Sequence, residues 1–161
     1  MTKITKPFAV LFPGQGSQTV GMLNNLAEIH SSVQNTFNEA SQTLDYDLWA
    51  LVKNGPASLL DQTEYTQPAL VAAGVAIWRV WQAEVGLTPT VLAGHSLGEY
   101  TAFVCAGALD FKDALVLARL RGGLMQNAVQ PNAGAMAAII GLSDRRVETL
   151  CIEAGLPGEL V

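Results

Sequence analysis

Charge is scarce in this sequence. Of 161 residues only 14% are Asp, Glu, Lys or Arg, half are hydrophobic, and the mean hydropathy is +0.28. A disordered chain needs the reverse, low hydrophobicity with high net charge, so this one must fold around a large core. Positive charge is the scarcer sign: 9 Lys and Arg stand against 14 Asp and Glu, for a net charge of −5 and a pI near 4.9. That balance argues against a broad nucleic-acid or anionic-membrane surface, because phosphate recognition requires clustered Lys and Arg. Cys105 and Cys151 are the 2 cysteines, too few for a disulfide scaffold or metal framework, and their apolar helical surroundings imply buried thiols. Long apolar runs are missing as well. Phe8–Phe12 is broken by Pro13-Gly14, short of the roughly 7–15-residue core of a signal peptide. Ala69–Trp78, closed by Arg79, falls well below the ~18 residues of a membrane span. The expectation is a soluble, cytoplasmic protein.

What is present alternates between two patterns. Phe8–Phe12, Thr90–Ala93 and Ala135–Ile140 are short continuous apolar runs, as in strands buried on both faces. Between and after them, helical spacing or capping predicts helices over Gln18–Ala27, Ser31–Thr43, Asp47–Val52, Ala69–Glu84 opened by Pro68, Leu97–Ala106, Phe111–Val129 and Asp144–Ala154. Strands alternating with helices imply parallel strands joined by crossovers, an α/β fold. The loop at 130–134 is the best boundary, dividing residues 1–130 from 131–161. Beyond it a strand, a helix and the turn Leu156-Pro157-Gly158 lead into Glu159–Val161, which reads as the start of another strand.

The strongest chemical signal is Gly94-His95-Ser96-Leu97-Gly98, lying between a predicted strand and a predicted helix. In that context G-x-S-x-G forms a sharp turn that exposes the serine hydroxyl, with the following N–H at a helix N-terminus facing developing negative charge. Ser96 is therefore a candidate nucleophile and Leu97 an oxyanion donor; the alternative is a Gly-rich turn with a serine cap. A second Gly-rich loop, Pro13-Gly14-Gln15-Gly16-Ser17-Gln18, follows the first strand. It has Thr19 where G-x-G-x-x-G needs glycine and no Lys-Ser/Thr pair, so a phosphate cradle is a poor fit. It either supplies a second oxyanion N–H near Gln15 or is a plain connection. Arg121 shares its helix face with Ala114, Leu117, Ala118, Leu124, Met125 and Ala128. A guanidinium on an inward apolar stripe requires an anion, either a protein carboxylate or a substrate carboxylate held in two parallel bonds.

Histidine is as scarce as cysteine. His95 adjoins Ser96 on a turn where neighbouring side chains diverge, and His30 sits at a helix end, where it reads as a solvated charge. A serine nucleophile needs a general base, and neither histidine is a convincing one.

Phe12-Pro-Gly-Gln-Gly-Ser-Gln18, Tyr65-Thr-Gln-Pro-Ala69, Ala93-Gly-His-Ser-Leu-Gly-Glu-Tyr100 and Arg121-Gly122 occur in the order and spacing of malonyl-CoA:acyl carrier protein transacylases of type II fatty acid synthesis. The resemblance spans about Phe8 to Leu142. It implies an α/β-hydrolase-like large subdomain with an inserted ferredoxin-like small subdomain, whose first strand Gly134–Leu142 resembles, and an active site in the gorge between the two. By motif, Ser96 resembles the acylated nucleophile, Leu97 and Gln15 the oxyanion donors and Arg121 the clamp on the malonyl carboxylate. Gln67, His95 and Met125 are placed near the pocket. The resemblance further implies malonyl-CoA and acyl carrier protein as partners, no resident cofactor or metal, and a monomer when complete. Where the sequence departs is in the catalytic His, which the family supplies from chain beyond this stretch. A serine hydrolase or thioesterase shares the same elbow, and a truncated chain without turnover is the remaining reading.

Overall fold

In the computed structural model, residues 7–128, 130 and 139–155 are described, and the chain divides after Ala128 into two compact units. The first unit runs β1 (Ala9–Phe12), α1 (Asn24–Ile29), α2 (Ser31–Leu44), α3 (Leu48–Asn54), α4 (Ala57–Leu60), α5 (Thr63–Glu84), β2 (Val91–Gly94), α6 (Gly98–Cys105) and α7 (Phe111–Gln126). β1 and β2 pair in parallel, Ala9 opposite Val91 and Phe12 opposite Gly94. The pairing continues at both ends, Thr90 N–H donating to the Phe8 carbonyl at 2.9 Å and His95 N–H to the Phe12 carbonyl at 3.0 Å. This is the expected α/β arrangement, with a small parallel sheet and mostly helix.

α5 is the axis of the core. It packs against α2, α6 and α7, and its Val71, Ala72 and Ala76 are sealed from solvent together with Val33, Phe37 and Ala40 of α2 and Ala114, Leu115 and Ala118 of α7. Phe37 meets Trp49 with ring centroids 4.8 Å apart. Each large apolar side chain buried here contributes about 1.5–3 kcal/mol, more than the roughly 1 kcal/mol typical of an ion pair near the surface, such as the half-exposed Arg79–Glu39. Packing, not charge, therefore holds the unit together. Small residues bring α7 close to α5: a Cβ on Gly122 would come within 2.6 Å of the Thr63 carbonyl oxygen.

Several boundaries differ from expectation. α5 begins at Thr63, not after Pro68, because its exposed first N–H, on Thr63, donates to Gln126 Oε1 of α7 at 2.9 Å. A cap supplied from the far end of another helix leaves no local mark in the sequence, and Pro68 is tolerated inside the helix. α4 was not expected. The first helix starts at Asn24 and not at Gln18, since Gly21 N–H is taken by the Val52 carbonyl at 2.8 Å and Leu23 turns left-handed. α7 ends at Gln126, short of Val129. β1 is covered on one face only: Phe12 is buried while Leu11 is 75% exposed, because an apolar run shows that both faces are apolar and not that both are covered. The face of α7 that holds Arg121 is likewise half inward, with Ala114 and Ala118 buried but Leu117, Leu124 and Met125 exposed. Both cysteines are half-buried rather than fully enclosed.

The second unit contains α8 (Asp144–Ala154), at the span predicted. Ile139 and Ile140 lie outside any strand, so the third predicted strand does not extend to Ile140. Its residues 135–138, the loop residues 131–134, the turn at 156–158 and the segment 159–161 lie outside the described residues. Among the described residues no helix is long and apolar enough to cross a membrane.

Candidate active site

β2 ends at Gly94 and α6 starts at Gly98, leaving a three-residue turn, His95 to Leu97, to reverse the chain. Each flanking glycine is required by a separate close approach. A Cβ on Gly94 would collide with the Gly98 carbonyl and the Glu99 nitrogen, and one on Gly98 with the Phe12 carbonyl. α6 thus descends directly onto the ends of both strands. The turn closes through Ser96 at φ 52°, a left-handed conformation that costs a non-glycine residue about 1–2 kcal/mol. Leu97, with its side chain buried, anchors the turn from below, while Ser96 stays exposed.

The loop after β1 is tied down beside this elbow. Ser17 Oγ donates to the Gly14 carbonyl at 3.0 Å, Gly16 N–H to Gln18 Oε1 at 2.8 Å, and Gln18 Nε2 to Asp61 Oδ1 at 3.0 Å. Gln15 sends its side chain away, Nε2 donating to Thr63 Oγ1 at 3.1 Å. Among the described residues neither the Gln15 N–H nor the Leu97 N–H has a hydrogen-bond acceptor. His95 packs on this loop: a Cβ at Gly14 would come within 2.9 Å of both its Nδ1 and its carbonyl oxygen.

Arg121 reaches the elbow from α7. Its Nη2 donates to Ser96 Oγ at 2.9 Å and its Nη1 to Gln67 Oε1 at 2.8 Å. Gln67, on α5, is fully buried, and its Nε2 donates to Met125 Sδ at 3.2 Å. Ser96, Arg121, Gln67 and Met125 thus form one continuous chain of contacts, drawing four of the sequence-predicted residues together from α5, α7 and the elbow. Among the described residues no carboxylate comes within 4.0 Å of Arg121. The other arginines near α7 are differently placed. Arg119 donates to the Leu44 carbonyl at 2.8 Å and lies over the Tyr46 ring, and Arg79 pairs with Glu39. Arg121 therefore holds its charge beside an exposed hydroxyl with no carboxylate paired to it among the described residues.

The histidines do not join this group. His95 lies against Gly14, and His30, at the junction of α1 and α2, has Nδ1 3.5 Å from Glu84 Oε1. Cys105 is set apart on α6, where burial pushes its thiol up to about 12, offset in part by the Arg79 guanidinium. Among the described residues no cluster of three His, Cys, Asp or Glu could hold a metal ion. Residues not singled out from the sequence also shape the site: Thr63 and Gln126 fix the start of α5, and Asp61 braces the loop after β1. Their contacts span tens of residues and carry no motif.

A family profile described as acyl transferase domain matches residues 10–154. The chain belongs to that family. Malonyl CoA-acyl carrier protein transacylase of Escherichia coli strain K12 is 57% identical to this acyl transferase domain over 147 residues, covering 91% of this chain and 48% of the relative. The protein of the same name from Haemophilus influenzae is 57% identical over 157 residues, covering 97% and 50%. Among solved structures, the malonyl CoA-acyl carrier protein transacylase of Coxiella burnetii superposes with a TM-score of 0.90 at 55% identity, covering 94% of this chain and 48% of the other. A malonyl-transacylase in complex with its type II PKS acyl-carrier protein superposes at 0.88 with 57% identity, covering 92% and 48%. The acyl transferase chain described here thus spans about half the length of the relatives it matches.

Proposed function

We infer that this chain carries the nucleophile and acyl-recognition half of a transferase that moves a malonyl group from malonyl-CoA to acyl carrier protein. The observation that carries the reading is the contact between Ser96, on a strained positive-φ elbow, and Arg121, a cation with no carboxylate partner among the described residues. An exposed serine could serve any acyl transfer; a guanidinium beside it that pairs with no carboxylate among the described residues favours an acyl group that ends in one.

In the proposed reaction Ser96 Oγ attacks the thioester carbonyl of malonyl-CoA, its proton passing to a base that His30 and His95 do not supply. The Leu97 and Gln15 N–H groups donate to the tetrahedral oxyanion. The carbon–sulfur bond breaks, the base returns its proton to the departing sulfur, and coenzyme A leaves with malonyl esterified to Ser96. The phosphopantetheine thiol of acyl carrier protein then attacks the ester and Ser96 regains its proton. Arg121 pairs with the malonyl carboxylate throughout, so an acetyl group leaves that pairing unmade. Every group in this scheme is a side chain or a backbone N–H, and it calls for no resident cofactor. In the same reading the first unit is part of an α/β-hydrolase-like subdomain and the second the beginning of a ferredoxin-like one. On this reading the protein, when complete, is a cytoplasmic monomer.

Mass spectrometry of the intact protein mixed with malonyl-CoA tests the assignment. The expected result is a malonyl adduct on Ser96, absent from Ser96→Ala and transferred on addition of acyl carrier protein. Release of free malonate without an acceptor would instead make the protein a thioesterase.

A further inference from the structure

Gln67 is the least expected member of the contact chain. It is an amide sealed inside α5, and neither of its polar ends faces solvent. Burying an amide without partners costs several kcal/mol, so its two contacts must explain its presence. Their chemistry is one-directional. A guanidinium can only donate, and a thioether sulfur can only accept. With Arg121 Nη1 on one side and Met125 Sδ on the other, the amide has a single workable orientation, oxygen to Arg121 and nitrogen to Met125. Flipping it would set an NH2 against the guanidinium and leave the sulfur facing an oxygen.

We propose that Gln67 is a positioning residue for acyl selection: its Oε1 fixes one Nη of Arg121, and Met125 Sδ fixes Gln67, so that the guanidinium presents its other Nη to the substrate carboxylate. In the free protein that other nitrogen, Nη2, rests on Ser96 Oγ. Substrate binding moves Nη2 from the hydroxyl to the carboxylate while Nη1 stays anchored. The anchor limits the motion to a swing about Nη1 and keeps a long, flexible side chain from losing its aim. Gln67 touches neither the substrate nor Ser96 in this scheme. Met125 is correspondingly a support for Gln67 and not a wall of the pocket. The proposal rests on the reading of Arg121 as the carboxylate clamp.

The test compares Arg121→Ala, Gln67→Leu and Met125→Leu in the intact protein, measuring Ser96 adduct formation from malonyl-CoA and from acetyl-CoA. Gln67→Leu keeps side-chain size in an apolar helix, and circular dichroism checks that it folds. It should lower the malonyl-to-acetyl ratio of kcat/KM about tenfold, mainly through KM for malonyl-CoA, and Met125→Leu should lower it in the same direction by less. Side-chain NMR of Arg121 supplies a readout independent of turnover: its Nη resonances, held apart by restricted rotation, should collapse in Gln67→Leu. If Arg121→Ala removes discrimination but Gln67→Leu leaves both the ratio and the resonances unchanged, the clamp stands and the positioning role is overturned. If Arg121→Ala retains discrimination, the clamp reading falls and this proposal with it.

Discussion

Ser96 meets two demands that pull against each other. Its hydroxyl must stand clear of the sheet, and to put it there the backbone takes a conformation that any side chain resists. Ser96→Gly and Ser96→Ala should both abolish the acyl adduct. The glycine variant should nonetheless be the more stable of the two by about 1 kcal/mol in urea denaturation, because it alone escapes the positive-φ penalty. At Arg121 the relevant quantity is charge with direction. Arg121→Ala should reduce kcat/KM for malonyl-CoA about a hundredfold or more and that for acetyl-CoA much less, and Arg121→Lys should not restore it, since an ammonium cannot hold Gln67 and a carboxylate in one plane. Cys105 offers a contrast, since burial raises its thiol to about 12 and the Arg79 guanidinium offsets this only in part. Alkylation in the folded protein at pH 8 should be far slower than in the urea-unfolded chain. The same shift has a sign for stability. From the usual thiol value of 9.0 up to about 12 the unfolded chain loses this proton and the folded one keeps it, so this contribution is complete below about pH 9 and fades as pH rises through that window.

Between elements, the decisive contacts are close approaches of backbone. Gly98→Ala would push α6 off the end of β1, and a destabilisation of about 3 kcal/mol is expected in thermal or urea melts, with loss of the Ser96 adduct. Much of this geometry was legible in the sequence. The elbow could be read because its spacing is local: two glycines around a serine between an apolar run and a helix describe one turn completely. The start of α3 near Asp47 could be read for the same reason, since Asp47 caps its own helix by accepting from Ala50 N–H. The start of α5 could not. Its cap is Gln126, at the far end of another helix, and the proline inside the first turns reads locally as a start signal. Nor did helical spacing reveal that Leu124 and Met125 face outward, because spacing places residues on a face without saying what lies opposite it. The contacts of Gln67 were hidden for a related reason, as its partners Arg121 and Met125 stand more than fifty residues away.

For the whole molecule, large apolar side chains are left uncovered on several elements among the described residues. Leu11 of β1, Phe103 of α6 and Leu120 and Leu124 of α7 are all exposed, as are Ile140 and Ile152 of the second unit. Val116, Leu120 and Leu124 fall at helical spacing on α7 and line one groove, the kind of contiguous apolar patch that soluble monomers rarely leave open. The 161-residue chain on its own should bind a hydrophobic dye, self-associate in light scattering, and melt over a broad range; a sharp cooperative transition of a monomer would contradict this. Two grooves, of about 640 Å3 beside β2 and about 500 Å3 beside α7, lie among these residues, and neither is lined by Ser96 or Arg121.

The separation of hydroxyl and guanidinium onto different supports has one more consequence. Ser96 is aimed by β2 and α6, while Arg121 is aimed by α7 and its anchor on α5. On the proposed reading, reactivity and acyl preference therefore sit on separate supports that meet only where Arg121 Nη2 contacts Ser96 Oγ. Substitutions at 121 or 67 should then change which acyl group is accepted while the positive φ of the elbow is kept.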